Sequence, residues 1–299
     1  REWTNGRRNQ QLMGYGDYLM ALGDASQLHA RDLRRRPVAI GDGRQVEDLY
    51  PELRLSLDYI ATQVMVDRGT PVNWLISYRG IRPYHDYEAM RQRWETQHPW
   101  RRRLLGPTAA STLVRRLGYY VFALDYRATP APIVLTEQER VIAQEWSQRK
   151  FVLIEPTIKK GASPSKRWPF ERYAAVAQAL SEEIEVFQVG ARGSPRIEHA
   201  RRLETSSFRG VLPYLKAARL YIGPEGGLHH AAAAMGARAV VLFGGYTPPA
   251  VTGYDFHVNL TGGATACGTH THVCQHCVEA MDRITVEEVL TQARTQLSA

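Results

Sequence analysis

The sequence predicts an α/β protein whose second half is a parallel, doubly wound sheet. Three observations carry this. From residue 151 to 262, short apolar runs alternate with stretches of helical period. Glycine closes three of those runs, at Gly190, Gly223 and Gly244. The last run, 239–243, is apolar throughout, as expected of a strand covered on both faces. Sheets wound in this order bind ligands beyond the carboxyl ends of their strands, so the turns there are where chemistry is expected.

The elements follow in order. Residues 151–154 form the first strand, and Pro169 opens a helix with Tyr173, Val176, Ala177 and Leu180 at i, i+3, i+4 and i+7. A second strand spans 184–189, and a helix is expected over 195–203. The third strand, 220–223, runs into Pro224-Glu225-Gly226-Gly227 and a small-residue helix over 229–235. Thr285 and Glu288 suggest a capping box, and Val286, Val289, Leu290, Ala293 and Leu297 give the terminal helix one apolar face. Upstream, Ala128-Thr129-Pro130-Ala131-Pro132 breaks the chain before a helix-like stretch at 137–149. The domain boundary is placed there, giving 1–132 and 133–299. The first part is rich in Arg and aromatic residues, with basic clusters at 34–36, 91–103 and 115–116.

Composition narrows the function. A chain of 299 residues, 44% hydrophobic and 23% charged, has the length of about two domains and is not a disordered one. No uncharged apolar run reaches the roughly 18 to 20 residues of a membrane helix, and the first residues lack a signal-peptide core. A cytoplasmic location is expected, with at most peripheral contact at the inner face of the membrane through Trp94, Trp100 and residues 101–103. The net charge of +8 favours acidic partners: phosphates, nucleic acid or anionic glycolipids. Cys267, Cys274 and Cys277 fall within eleven residues, which points to a reducing compartment with one local device rather than a disulfide scaffold.

Three turns are candidates for chemistry. In Gly223-Pro224-Glu225-Gly226-Gly227-Leu228-His229-His230, glycines let a ligand approach the backbone, and the helix start that follows suits a phosphate. Glu225 is placed to accept hydrogen bonds from sugar hydroxyls. The plain alternative is a tight βα turn with a satisfied histidine. The turn from Pro156 to Pro169 offers hydroxyls such as Ser163 and cations, and Lys166 is the candidate for a diphosphate oxygen. A solvated basic loop is the alternative. In Gly14-Tyr15-Gly16-Asp17, the aspartate is either a helix N-cap or a general base facing a cleft.

Together these turns resemble glycosyltransferase family 9, the heptosyltransferases. The family pattern, roughly G-(P/D)-(S/T/N)-G-x-x-H-x-A-A-A-x-G, is resembled by residues 223–236, where Glu225 stands at the third position and the closing glycine comes one residue later; its K-x-W-P is matched by Lys166-Arg167-Trp168-Pro169, and its N-terminal G-D by Gly16-Asp17. The resemblance implies the GT-B fold, two Rossmann-like doubly wound domains facing a central cleft. It also implies that Asp17 is the catalytic base and that Lys166 holds the donor diphosphate. Gly226 and Gly227 would contact phosphate, Glu225 would meet the donor sugar, His230 would match the family histidine, and Glu198 would meet the nucleoside ribose. One departure is plain: residues 7–13, where the family has an apolar strand, are mostly polar.

The implied activity is inverting transfer of a sugar, ADP-heptose or a related nucleotide sugar being the donor, to a hydroxyl of a bacterial surface glycan or lipopolysaccharide-type acceptor. Such a scheme requires no catalytic metal, and no Asp-x-Asp motif is seen. Two other functions fit the same residues: a phage-type glycosyltransferase acting on modified DNA, and a non-catalytic nucleotide- or polynucleotide-binding module. The segment 267–277 has the Cys-x-x-Cys spacing of a zinc knuckle, and Cys267, Cys274, Cys277 and a histidine such as His272 would make a structural zinc or iron site. Free thiols and a disulfide are the alternatives.

Overall fold

The computed structural model describes residues 14–76, 82–100, 117–159, 161–191, 193–269 and 272–299. Residues 7–13, the basic stretches 101–103 and 115–116, Lys160, His270 and Thr271 lie outside them. The first elements are α1 (Tyr15–Arg31), β1 (Val38–Gly41), α2 (Gln63–Asp67), β2 (Asn73–Ile76) and α3 (Tyr87–Gln97). β1 and β2 pair in parallel, Val38 opposite Asn73. Tyr18, Leu19, Leu22 and Ala25 recur at helical spacing and give α1 a buried face. On α3, Met90 and Trp94 are buried together. Trp94 therefore belongs to the interior rather than to a membrane-facing patch, while Trp100 is exposed.

Beyond the Pro-rich break come α4 (Glu137–Ser147), β3 (Phe151–Ile154), α5 (Phe170–Ser181), β4 (Glu185–Gln188), β5 (Arg201–Arg202), α6 (Leu212–Ala217), β6 (Leu220–Pro224), α7 (Gly227–Ala234), β7 (Ala239–Leu242), α8 (Pro249–Thr252), β8 (Val258–Leu260), α9 (Gln275–Arg283) and α10 (Val286–Ser298). The six strands β3 to β8 form one parallel sheet in the order β5-β4-β3-β6-β7-β8. The chain winds outward from β3 to β5, then restarts at β6 on the other side of β3. The crevice between β3 and β6 is therefore the point where strand order reverses, which is where a ligand is expected.

Strand periodicity explains why both sheet faces are apolar. Phe151, Leu153, Ala239 and Val241 face one core, with Leu212, Leu215, Leu228 and Ala231 from α6 and α7. Val152, Ile154, Val240 and Leu242 face the other, with Tyr173, Val176, Leu180, Val289 and Ala293 from α5 and α10. Tyr18, Leu19 and Leu22 of α1 join the first of these cores. The N-terminal helix is thus packed onto the six-stranded sheet. Buried Arg209 ties the parts further: its guanidinium meets both Glu139 oxygens at 2.7 Å and donates to Val134 O at 2.8 Å and to Glu52 O at 2.5 Å.

One expected element is absent. Residues 195–203 hold no helix but an irregular run, a turn at 198–199 and β5. Gln188 takes the backbone groups that a helix would need, accepting from Ile197 N–H at 2.8 Å and donating to Pro195 O at 2.6 Å. Ile197 is then buried in the second core, which holds the segment extended.

Candidate active site

Asp17 is the third residue of α1 rather than its N-cap, and its Oδ2 reaches back to accept from Gly14 N–H at 2.9 Å. Its Oδ1 accepts from the Tyr84 hydroxyl and from Arg82 Nε, the latter at 3.1 Å. Burial opposes the charged form, but the Arg82 guanidinium, then Tyr84 and Gly14 N–H, outweigh it and hold the carboxyl well below its ordinary range. Both partners come from a turn more than sixty residues along the chain, in a stretch with no motif. Nothing in the local sequence marks them.

At the opposite corner, Glu225 follows the last residue of β6 and Gly226 is the N-cap of α7. A methyl group at Gly226 would enter open space, so that backbone can be approached from outside. Glu225 is buried, forms an ion pair with Lys166 through Oε2, and has Oε1 3.6 Å from His230 Nε2. His230 Nδ1 lies 2.9 Å from the Tyr254 hydroxyl, which orients the ring. Burial again opposes charge at Glu225, and Lys166, then His230, overcome it and keep the carboxyl ionised. The Lys166 ammonium also sits 5.0 Å over the ring centroid of Tyr246.

These corners meet. A Cβ at Gly16 would fall 2.8 Å from His230 Cδ2 and 3.5 Å from Gly227 N, so only a glycine lets α1 approach α7 this closely. The point where a Gly14 Cβ would stand is 2.7 Å from Lys159 Nζ and 3.5 Å from Asp17 Oδ2. Tyr15 stacks on Phe208 and on Tyr50, each at 4.0 Å, and closes the seam from one side. The structure thus gathers Asp17, Lys166, Glu225, Gly226, Gly227 and His230 into one region.

Two further residues expected to contact the donor lie apart from this cluster. Ser163 is buried, accepts from Ser165 N–H at 3.3 Å, and has its hydroxyl 3.5 Å from Thr269 O, so it serves the loop itself. Glu198 stands in an exposed turn ahead of β5, three strands from β6. At about 4.8 Å per strand, that is some 14 Å from the Glu225 corner. Sequence reasoning missed Glu155, which directly follows β3 beside the switch point. Its carboxyl accepts from the Tyr221 hydroxyl, and burial raises it to about 7.

The Glu225 corner also brings one carboxylate oxygen and ring nitrogens of His229 and His230 within 4.8 Å of one another, a spacing suited to a metal ion. Charge argues otherwise. Lys166 and the positive end of α7 both repel a cation there and attract an anion. His229 is fully buried, its ring nitrogens have no hydrogen-bond partner among the described residues, and burial, then its histidine neighbours, keeps it neutral.

The three thiols form a separate centre. Their Sγ atoms lie 3.2 to 3.5 Å apart, far beyond the roughly 2.05 Å of a disulfide and close to the ~3.8 Å edge of a tetrahedral thiolate site. Cys277 is buried, and Thr269 N–H approaches Cys267 Sγ at 3.4 Å. The fit to a three-thiolate metal site is good, whereas three packed neutral thiols would leave sulfur lone pairs crowded together. His272 is exposed and outside this ligand group. The segment also bridges the molecule: Gly268 N–H donates to Tyr246 O at 3.0 Å, and Gly268 O accepts from Tyr120 N–H at 2.9 Å. Gly268 has φ +68°, and a Cβ there would strike Tyr120 O at 2.3 Å, so this bridge requires glycine.

An α/β chain with glycine corners and cations at the carboxyl ends of a parallel sheet, facing an aspartate across a seam, has the architecture of a GT-B glycosyltransferase. The sequence profile of glycosyltransferase family 9 (heptosyltransferase) matches residues 109–286, more than half of the chain, and the chain belongs to that family. Among solved structures, it is similar to the family 9 glycosyl transferase from Veillonella parvula DSM 2008, at 14% identity over 97% of this chain and 99% of that one, with a TM-score of 0.62. It is also similar to the iron-containing dodecameric glycosyltransferase TibC from enterotoxigenic E. coli H10407, at 14% identity over 95% of this chain and 73% of that one, with a TM-score of 0.54. A partial likeness to the E. coli ADP-heptose LPS heptosyltransferase II has 21% identity and a TM-score of 0.42, covering 56% of this chain and 54% of that one, so the chain spans about half that protein's length. No curated protein matches the chain. No helix among the described residues is long and apolar enough to cross a membrane.

Proposed function

We propose that this protein is an inverting glycosyltransferase that takes an ADP-activated heptose or related sugar as donor and a hydroxyl of an anionic surface glycan or glycolipid as acceptor. The observation that carries it is the seam itself: a carboxylate with one open side stands opposite an anion-binding corner made of Lys166, the Gly226 and Gly227 amides and the start of α7. In this reading, residues 133–299 bind the donor and residues 1–132 the acceptor, at the cytoplasmic face of the membrane.

The chemistry follows from the charges. Asp17 accepts the proton of the acceptor hydroxyl as its oxygen bonds to the anomeric carbon. The bond from that carbon to the phosphate oxygen breaks, and its electron pair leaves on the nucleoside diphosphate. Negative charge on that leaving group grows in the transition state, so donors already fixed around it lower the barrier selectively. Lys166 is held by Glu225. A diphosphate competes for the ammonium, and Glu225 is then available to sugar hydroxyls. A thermal-shift series over nucleotide sugars tests this: one ADP-sugar should raise the melting temperature in proportion to the logarithm of its concentration, and that compound should be the one transferred. A flat response to every nucleotide sugar would sink the reading.

Cys267, Cys274 and Cys277 would hold a structural zinc or iron ion, a reading supported by the sulfur spacing and by the iron in the TibC structure. Bound there, the ion supplies a cross-link between the segment and the start of α9. Elemental analysis of the purified chain should find about one equivalent of metal, lost in Cys274→Ser together with Cys277→Ser. Metal-free protein with full thiol reactivity and an unchanged melting temperature would overturn it.

A further inference from the structure

A carboxylate offers about four positions for accepting hydrogen bonds, and at Asp17 the chain fills three of them. Gly14 N–H takes one on Oδ2, while Arg82 Nε and the Tyr84 hydroxyl take both on Oδ1. The turn that supplies Arg82 and Tyr84 is built by bonds that do not involve Asp17. Arg82 N–H donates to the Tyr87 hydroxyl at 2.9 Å, His85 N–H to Arg82 O at 3.1 Å, and Ala123 N–H to Tyr84 O at 3.0 Å. Asp86 N–H donates to Val121 O at 2.9 Å, and the His85 ring stacks on Tyr120 at 4.0 Å. A turn held from so many sides presents its two donors at a fixed place.

We propose that Arg82 and Tyr84 are positioning residues for sugar transfer: they grip Asp17 by Oδ1 so that the remaining acceptor position, on Oδ2, is the one that meets the acceptor hydroxyl. This rests on the transferase reading and deepens it, by naming the oxygen that takes the proton and the residues that aim it. The step balances as before: the hydroxyl proton passes to Oδ2, the acceptor oxygen bonds to the anomeric carbon, and the diphosphate departs with the electron pair. Arg82 is itself buried and presents its Nε to Oδ1 at 3.1 Å. An ammonium cannot reproduce that directed contact, because it is a point charge without fixed donor directions.

Around the carboxylate, the charged and titratable groups are Arg82 and Tyr84 from the turn, Lys159 beside Gly14, and His230 against Gly16. Further out stand Glu225 and the phenols Tyr50, Tyr87, Tyr120, Tyr126 and Tyr246, all five raised first by burial and therefore neutral. The three donors favour the ionised carboxylate. With its folded pKa below the ordinary 3.8, Asp17 stays charged through the acid side of neutrality. It accepts a proton only as the new glycosidic bond forms and the acceptor oxygen loses its basicity.

The test compares wild type with Tyr84→Phe, Arg82→Met and Arg82→Lys in the full chain. The transfer rate of the wild type should show no acid limb above about pH 5. Tyr84→Phe and Arg82→Met should each lower kcat about tenfold or more, with the Kd for ADP, measured by calorimetry, within about twofold of wild type. Arg82→Met should also move the acid limb up by about a pH unit or more, and Arg82→Lys should restore the limb without restoring kcat. Unchanged kcat and profile would overturn the proposal. So would an ADP affinity that falls in step with kcat, the mark of a merely structural pair. Should the wild type transfer from no donor, the transferase reading fails instead. The grip on Asp17 is then read from its carboxyl carbon resonance, which must titrate at higher pH in Arg82→Met than in wild type for the inference to stand.

Discussion

Asp17→Asn should slow sugar transfer by about 10²- to 10⁴-fold, the contribution of a positioned general base, and leave the Kd for ADP within about twofold of wild type. The split follows from the two sides of the seam. Asp17 bonds to Gly14, Arg82 and Tyr84, all in the N-terminal part, while Lys166 and the α7 amides belong to the opposite corner. An asparagine keeps the shape. Its oxygen still accepts from Tyr84 and Arg82, but its amide group faces Gly14 N–H, donor against donor, and cannot take a proton. Arg82 also loses its counter-charge, which at a buried site costs roughly 1–3 kcal/mol of stability. Asp17 titrates below its unfolded value, so this stability is present in full above the ordinary carboxylate range and is lost as pH falls through the lowered value. The melting-temperature gap between wild type and Asp17→Asn should therefore be constant near neutrality and close in strong acid, while the catalytic loss persists at every pH. Paired measurements of kcat, ADP binding and melting temperature from pH 3 to 8 check both halves. A variant retaining more than about a tenth of wild-type kcat would remove Asp17 from the role of base.

What could be read in the sequence was what is local. Gly223 to His230 is a strand end, a turn and a helix start written without interruption, so its fold is visible in one line of residues. Lys166 lies just ahead of Pro169 and α5, and the Trp168 indole that anchors that loop donates to Ile284 O at 2.9 Å. The central strands β3, β6 and β7 are legible for the same reason: every residue in them is buried, so apolar residues fill them. Arg82 and Tyr84 were not legible, because a turn with no glycine pattern delivers them to Asp17 through tertiary packing alone. The setting of Glu198 was not legible for the converse reason. Its surroundings have helical residue types, but Gln188, seven residues before Pro195, captures the backbone and turns the segment into an edge strand. Glu155 reads as a loop residue before Pro156, and only the order of the strands makes it a switch-point carboxyl. In the cysteine segment, spacing identified the three sulfurs as one centre, but the order of residues says nothing of which way a neighbouring imidazole turns, and His272 is outside the cluster.

Lys166→Met should do two kinds of damage that a second substitution separates. The first is to the donor: losing one charge-assisted contact to a diphosphate weakens binding by about 10- to 100-fold and lowers kcat as well, because the lost contact strengthens as the leaving group gains charge. The second is to the fold. Glu225 is only 6% exposed and depends on the Lys166 ammonium for its charge, with His230 at 3.6 Å as a weaker support. Removing one member of a buried pair costs about 3–5 kcal/mol when the other stays charged. Glu225→Gln on top of Lys166→Met removes the stranded charge, so the double variant should recover most of the lost melting temperature and none of the transfer. The pH dependence has a definite sign. In wild type the lowered Glu225 pKa gives stability that is complete above the ordinary carboxylate range and fades as pH falls through the lowered value. In Lys166→Met, burial pushes the Glu225 carboxyl up instead, so it protonates in mild acid and the variant regains ground there. The gap from wild type should therefore be widest near pH 8 and narrow toward pH 5. Urea midpoints for both variants at these two pH values, with nucleotide-sugar titrations alongside, decide the matter. A double variant no more stable than the single one would show that Lys166 and Glu225 are not the coupled pair on which donor capture depends.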